Sequence, residues 1–267
     1  MLKVLLQRWK TRRELAAVQR RAIPDDLWKR TLIRYPFLQR RDAADAALLR
    51  RLTSLFLDCK EFSTTPGLRL TDAMAVAIAA QAALPVLRLG LSAYDGFVGI
   101  VVHADQVSAR RVVTDDDGVV HEYDEVLAGE AMQGGPVMLS WPDVRLGGQA
   151  AAQGYNVVIH EFAHVLDMAN GAANGVPSLP LELSLSAWQA VLGSSLQALR
   201  AAVEEEQPTP LDAYGASGVE EFFAVASESF FVQPQALLAH DPDLYHMLGR
   251  YYLQHPAQEQ AESRRRD

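Results

Sequence analysis

The stretch Asn156-Val157-Val158-Ile159-His160-Glu161-Phe162-Ala163-His164-Val165-Leu166 is an apolar run broken by two histidines four residues apart, with a glutamate directly after the first. Wound as an α-helix, positions i and i+4 share a face, so both imidazoles can reach one ion. Glu161 projects about a third of a turn away, placed to contact a water on that ion and not the ion itself. The flanks support the helix: Asn170-Gly171 supplies a stop. A helix that is apolar nearly all round is a buried one. Two imidazoles and a carboxylate inside it would be costly without a partner. The spacing therefore predicts metal ligands at His160 and His164 and a general base at Glu161.

Two histidines leave a zinc site unfinished. The metzincin extension would need Gly at 167 and His at 170, where this chain has Asp167 and Asn170. A glutamate from a later helix is the alternative, giving a His₂Glu set with one position open for water. Residues 214–228 read YGASGVEEFFAVASE, apolar in the helical part except for Glu220, Glu221, Ser227 and Glu228. Glu221, Val225 and Glu228 fall along one stripe. Spacing alone favours Glu221, then Glu228, with Glu220 and Asp212 still open. Asp167, one turn past His164, either orients an imidazole or ends the helix in solvent.

The 267 residues suffice for one large domain or two closely packed subdomains. Hydrophobic content of 49% and charged content of 22% are those of an ordinary globular protein. The single cysteine, Cys59, cannot form an intrachain disulfide, which suits a reducing cytoplasm, and is expected to pack as a small apolar residue. No stretch has the length of a membrane span, and Met1–Gln7 is too short for a signal-peptide core, so the expected location is cytoplasmic. Charge is uneven: residues 1–60 hold 15 Lys and Arg against 6 Asp and Glu, a net of +9, and the rest carries −17. A basic arm could touch nucleic acid, an anionic membrane or an acidic partner. Aromatic platforms are not interleaved with it as in single-strand binders, so solvated helix faces are the simpler reading.

Along the chain, a basic helix is expected over Leu2 to about Arg21, a second from Ile23-Pro24-Asp25-Asp26 to a break at Pro36, and a third through Leu48–Phe56. Thr71-Asp72 caps an Ala-rich helix running to Pro85. Strands are expected at 96–103, containing FVGIVVH, at Val119–Tyr123 behind the turn Asp115–Gly118, and at Pro136–Trp141, where the proline suits an edge. Further helices are expected over Ser186–Glu205 and Gly218–Val232. This is a predominantly helical α+β chain with a small sheet beside the HEFAH helix.

With these residues in hand, the chain resembles the Mlc titration factor A family of bacterial zinc metallopeptidases, over about Ile23 to Pro256. The matching pieces include Leu27-Trp28, Phe56–Lys60, the block LTDAMAVAIAAQAALPVLRLGL from Leu70, the GEA and GPVMLSW stretch ending at Trp141, NVVIHEFAHVLDMANG and YGASGVEEFFAVASESFF. It departs from the usual pattern at Met132, often tryptophan, and at Ala83, often cysteine. The resemblance implies a zincin-like fold of the gluzincin type, similar to the catalytic domain of anthrax lethal factor. It also implies a tyrosine seven residues before the ligand glutamate, an offset that Tyr214 and Glu221 satisfy. The family pattern thereby implies one Zn²⁺ per chain on His160, His164 and Glu221, with Glu161 as base and Tyr214 on the oxyanion. The expected layout is a basic helix or arm over 1–22, a metallopeptidase domain over 23–256 (helical to 92, catalytic from 93) and a flexible tail over 257–267. Expected partners are a peptide or protein substrate, cut aminopeptidase-fashion, and a DNA-binding repressor of the Mlc type, with no direct nucleic-acid contact. The alternative is a regulatory protein that sequesters a repressor of sugar uptake, its zinc mainly structural. PVMLSW is expected beside the cleft as the edge strand that pairs with substrate.

Overall fold

The structure, a computed structural model, describes residues 2–39, 41–114, 120–171 and 173–263. Helices α1 (Leu2–Arg20), α2 (Asp25–Arg34), α3 (Ala43–Cys59) and α4 (Asp72–Ala83) form the first part, with strand β1 (Glu61–Thr64) between α3 and α4. Then come β2 (Gly99–His103), β3 (Val107–Thr114), β4 (Val120–Leu127), β5 (Gly129–Ala131) and β6 (Val137–Ser140). Helices α5 (Trp141–Ala150), α6 (Val157–Asp167), α7 (Leu185–Glu204), α8 (Val219–Val232), α9 (Pro234–His240), α10 (Pro242–Tyr252) and α11 (Pro256–Ser263) complete it. The fold is predominantly helical α+β, as the sequence predicts. Among the described residues no helix is long and apolar enough to cross a membrane.

The sheet is mixed and small, in the order β1-β2-β6-β5. β1, β2 and β6 run parallel, with Phe62 opposite Ile100 and Ile100 opposite Val137; β5 pairs antiparallel with β6, Gly129 opposite Leu139. Ile100, Val102, Val137 and Leu139 are buried, the alternation of a strand with one face on the core. The HEFAH helix is anchored by its middle residue. Phe162 sits in a cluster of aromatic rings with Tyr94 at 5.0 Å, Phe56 at 5.5 Å and Phe97 at 5.7 Å. Lys60 closes that cluster from below, its buried Nζ donating to the carbonyls of Tyr94 (2.6 Å) and Phe97 (2.5 Å).

Helix α4 shows why an alanine-rich sequence belongs here. Thr71 Oγ1 accepts from the Met74 amide at its start, and Val76 through Ala83 are all buried, small enough to let α3 and α6 lie close. Helix α8 is the other central rod, buried continuously from Phe222 to Val232, with Trp188 of α7 on Phe223 and Tyr252 of α10 stacked on Phe230. Helix α1 lies along α3, held by Arg20–Asp58 (2.9 Å), by Arg51–Glu14 and by buried Ala17.

Several expectations are corrected. β6, the PVMLSW segment, is bonded on both sides and so is interior; the edge is the three-residue β5, and Trp141 already opens α5. The strand expected at 119–123 is found as Val120–Leu127 and pairs with the unanticipated β3 as a separate ribbon, while Val119 and the turn at 115–118 lie outside the described residues. Cys59 is exposed at the end of α3 instead of packed. The tail expected from 257 begins as helix α11, where Ala257 is buried and its amide donates to Tyr245 Oη.

Candidate metal centre and its cleft

Helix α6 begins at Asn156, whose Oδ1 accepts from the Ile159 amide and satisfies one of the donors a helix start leaves open. Its Nδ2 donates to Gln81 Oε1 of α4 at 2.8 Å. From that fixed start, one turn brings His160 and the next His164 to the same side, ring centroids 4.8 Å apart. Helix α8 runs alongside and delivers Glu221 between them. Glu221 Oε2 lies 3.1 Å from His160 Nε2 and 3.3 Å from His164 Nε2, and the two Nε2 atoms are 3.1 Å apart.

Such a triangle fits a metal. Ligand atoms about 2.0–2.1 Å from a tetrahedral ion stand roughly 3.3 Å from one another, close to all three separations here. Two neutral imidazoles and one carboxylate are a donor set suited to Zn²⁺. Among the described residues this is the group of histidine, cysteine and acidic side chains that could hold an ion.

The charges around the triangle respond to depth. Burial presses Glu221 towards its neutral form, but the hydrogen bonds and charges of His160 and His164 outweigh it and hold the carboxylate ionised well below its usual range. Burial likewise opposes charge on His160, yet the Glu228 and Glu221 carboxylates raise its pKa well above the ordinary imidazole value. Glu161 is buried and lifted to about 7, desolvation outweighing the neighbouring imidazoles. A carboxyl tuned near neutral pH is suited to both taking and returning a proton.

The remaining acidic candidates separate cleanly. Glu228 does not join the triangle. Its Oε1 lies 2.8 Å from His160 Nδ1, on the far side of the ring, and its Oε2 accepts from the Asn156 amide. Glu220 folds its carboxylate over Gly218 and lines the cleft. Asp212 caps the 3₁₀ turn Ala213–Ala216 by accepting from the Tyr214 amide at 2.9 Å. Asp167 is neither in solvent nor on an imidazole: it is fully buried, and its Oδ2 accepts from Gly175, pinning the loop after α6. Gly175 is left-handed (φ +69°), and a side chain there would strike Val219.

The triangle opens into a cleft of about 340 Å³. One wall is β5, with Ala128 just before it; Tyr214, half exposed and 6.1 Å from His160 between ring centroids, stands on the other. Glu161 lies directly against β5, since a Cβ on Gly129 would be 2.6 Å from its Cγ and Oε1. The sequence does not single out Gly129 or Tyr155, which also lines the cleft. Gly129 stands inside a resembling block, but a single glycine in a three-residue strand carries no periodic signal.

A family model described as glucose-regulated metallo-peptidase M90 matches residues 6–253. The Mlc titration factor A of Edwardsiella ictaluri is 40% identical over 194 residues, 72% of this chain and 73% of that protein. That of Serratia proteamaculans is 35% identical over 224 residues, 83% and 84% of the two chains. An uncharacterized Synechocystis protein is 37% identical over 224 residues, covering 84% and 82%. With the HEFAH helix, the glutamate of α8 and these likenesses over most of its length, the chain belongs to the M90 family of metallopeptidases.

Proposed function

We propose that this chain is a zinc-dependent peptidase, of aminopeptidase type, in which His160, His164 and Glu221 hold the metal. The observation that carries the reading is the convergence of two imidazole nitrogens and one carboxylate oxygen, within 3.1–3.3 Å of each other, beside a buried glutamate. Zn²⁺ bound there would supply a water with a pKa of roughly 7 and polarise a carbonyl. Glu161 accepts the proton of the attacking water and returns it to the leaving amine. Tyr214 donates a hydrogen bond to the developing oxyanion, an interaction worth roughly 3–4 kcal/mol when well placed. An extended substrate adds to the open edge of β5, whose outer backbone groups face no other strand among the described residues. Glu220 and Asp212, lining the same cleft, give it a negative field that favours a substrate's free ammonium group.

Cleavage of a peptide library by the zinc-loaded protein, with amino-terminally blocked members included, tests this. Release of single amino-terminal residues from unblocked members, lost on chelation, is the expected result. Internal cuts in blocked peptides would remove the aminopeptidase assignment, and no cleavage at all would remove the enzymatic one.

A second reading has one observation behind it: relatives covering most of the chain bear the name Mlc titration factor A. On that reading the protein binds a transcriptional repressor of the Mlc type, and its metal mainly holds the fold. Retention of the repressor by a Glu161→Gln variant without activity would show that the two roles separate.

A further inference from the structure

Behind His160 lies a carboxylate that takes no part in the proposed hydrolysis. Glu228 is only 1% exposed, yet both its oxygens are committed to donors on α6. Oε1 sits 2.8 Å from His160 Nδ1, and Oε2 accepts from the backbone amide of Asn156. We propose that Glu228 is a positioning residue that fixes the tautomer and the ring orientation of His160, delivering the Nε2 lone pair to the metal. This rests on the metallopeptidase reading of the His160, His164 and Glu221 site.

As a carboxylate Glu228 can only accept, and with the Asn156 amide on Oε2 and Nδ1 2.8 Å from Oε1, the ring nitrogen facing it then carries a proton. In a neutral imidazole the other nitrogen then holds the lone pair, and that other nitrogen is Nε2, the atom at 3.1 Å from both His164 and Glu221. A partner of this kind on a ligating histidine raises its basicity and holds the ring in place. Here the same carboxylate also grips the residue that starts α6. Asn156 passes the connection on through Nδ2 to Gln81 Oε1, and Gln81 Nε2 ends it on the Ala77 carbonyl of α4. Glu228, Asn156 and Gln81 are all buried. The two ligand-bearing helices are thus tied to each other and to α4 by an unbroken line of hydrogen bonds, and His160 hangs from its Glu228 end.

Glu228→Gln exposes the requirement, because an amide offers one acceptor where two donors wait. If its NH₂ turns to His160, it donates to Nδ1 and drives the ring proton to Nε2, where the metal must bind. If it turns to Asn156, two N–H groups face each other and the helix start is lost. The expected result is a rise of about 10–100-fold in the zinc dissociation constant, measured by competition with a chromophoric chelator. The visible spectrum of the Co²⁺-substituted protein should change, and a long-range ¹H–¹⁵N spectrum of the histidines should show the His160 tautomer altered. Zinc affinity within about threefold of the unaltered protein, with the same tautomer, would overturn the proposal, since the effect of such a partner is at least tenfold.

Should Glu228→Gln fail to fold, Glu228→Asp carries the test. It keeps an acceptor-only head on a shorter stem, so His160 should keep its Nδ1 proton while zinc binding weakens. Zinc binding as tight as in the unaltered protein would overturn the proposal. The unaltered protein is the control that separates the two levels. Failure of that protein to bind zinc removes the metallopeptidase reading, whereas normal binding with an unaffected variant removes only the role of Glu228.

Discussion

Helices α6 and α8 build one cleft in opposite ways. α6 concentrates its chemistry, with two imidazoles and a carboxylate inside five residues. α8 spreads its own over nine, and its three glutamates meet three fates. Glu220 covers Gly218 at the mouth, Glu221 enters the triangle, and Glu228 is buried behind His160. On α6, periodicity alone suggests the proposed roles. On α8, the proposed role follows where each side chain goes from a rod buried on nearly all sides, and that is a property of the packed molecule, not of local spacing.

The largest effect tests the division within α8. Glu221→Ala should lose the metal, and with it all activity, by elemental analysis, because two imidazoles alone make an incomplete site. Glu220→Ala should keep close to one zinc per chain. Metal retained in the first variant would place the third ligand elsewhere and undo the contrast between the three acids.

The next largest belongs to α6. Glu161→Gln should retain zinc yet lose peptide turnover by about 10²–10⁴-fold, the usual worth of a positioned acid–base group. Unchanged turnover would take the base away from the motif helix. On the opposite wall, Tyr214→Phe should lower turnover by about 10²–10³-fold, the cost of one oxyanion donor, without altering zinc content. A change in zinc content instead would give Tyr214 a part in holding the metal.

The contrast between the helices also explains what can be read in the sequence. HEFAH is legible because its groups lie within two turns and its cap, Asn156, is adjacent. Glu221, 57 residues beyond His164, is singled out from its neighbours only by the tyrosine offset that a family resemblance supplies. Glu228 reads as a rival ligand, since nothing local says which nitrogen of His160 an acid will face. Long buried helices such as α4 and α8 are legible close to their true bounds. β1 and β5, four and three residues long, are too short for alternation to register, and their membership in the sheet depends on partners 38 and 6–10 residues away. PVMLSW reads as an edge because Pro136 cannot donate, but the proline precedes the first paired residue, Val137, so it leaves the ladder intact.

The smallest effect joins the two halves of the molecule, because it is a strand that limits where the motif's glutamate can stand. Gly129 is not among the glycines with positive φ, so no unusual backbone requires it. What requires it is space: an added Cβ would meet Cγ and Oε1 of Glu161 at 2.6 Å and Cδ at 2.8 Å. Glu161 lines the cleft and Gly129 is held opposite Leu139 in the ladder, so the glutamate side chain is the one that shifts. Gly129→Ala should therefore leave zinc content and melting temperature nearly unchanged and lower turnover by about 10–100-fold, since misplacing a reacting group by about 1 Å costs on that order. Zinc loss in this variant would mean the strand supports His160 and His164 as well as the base. Full turnover would mean that Glu161 works from a position away from β5, and the edge strand would then lose its part in setting the catalytic geometry.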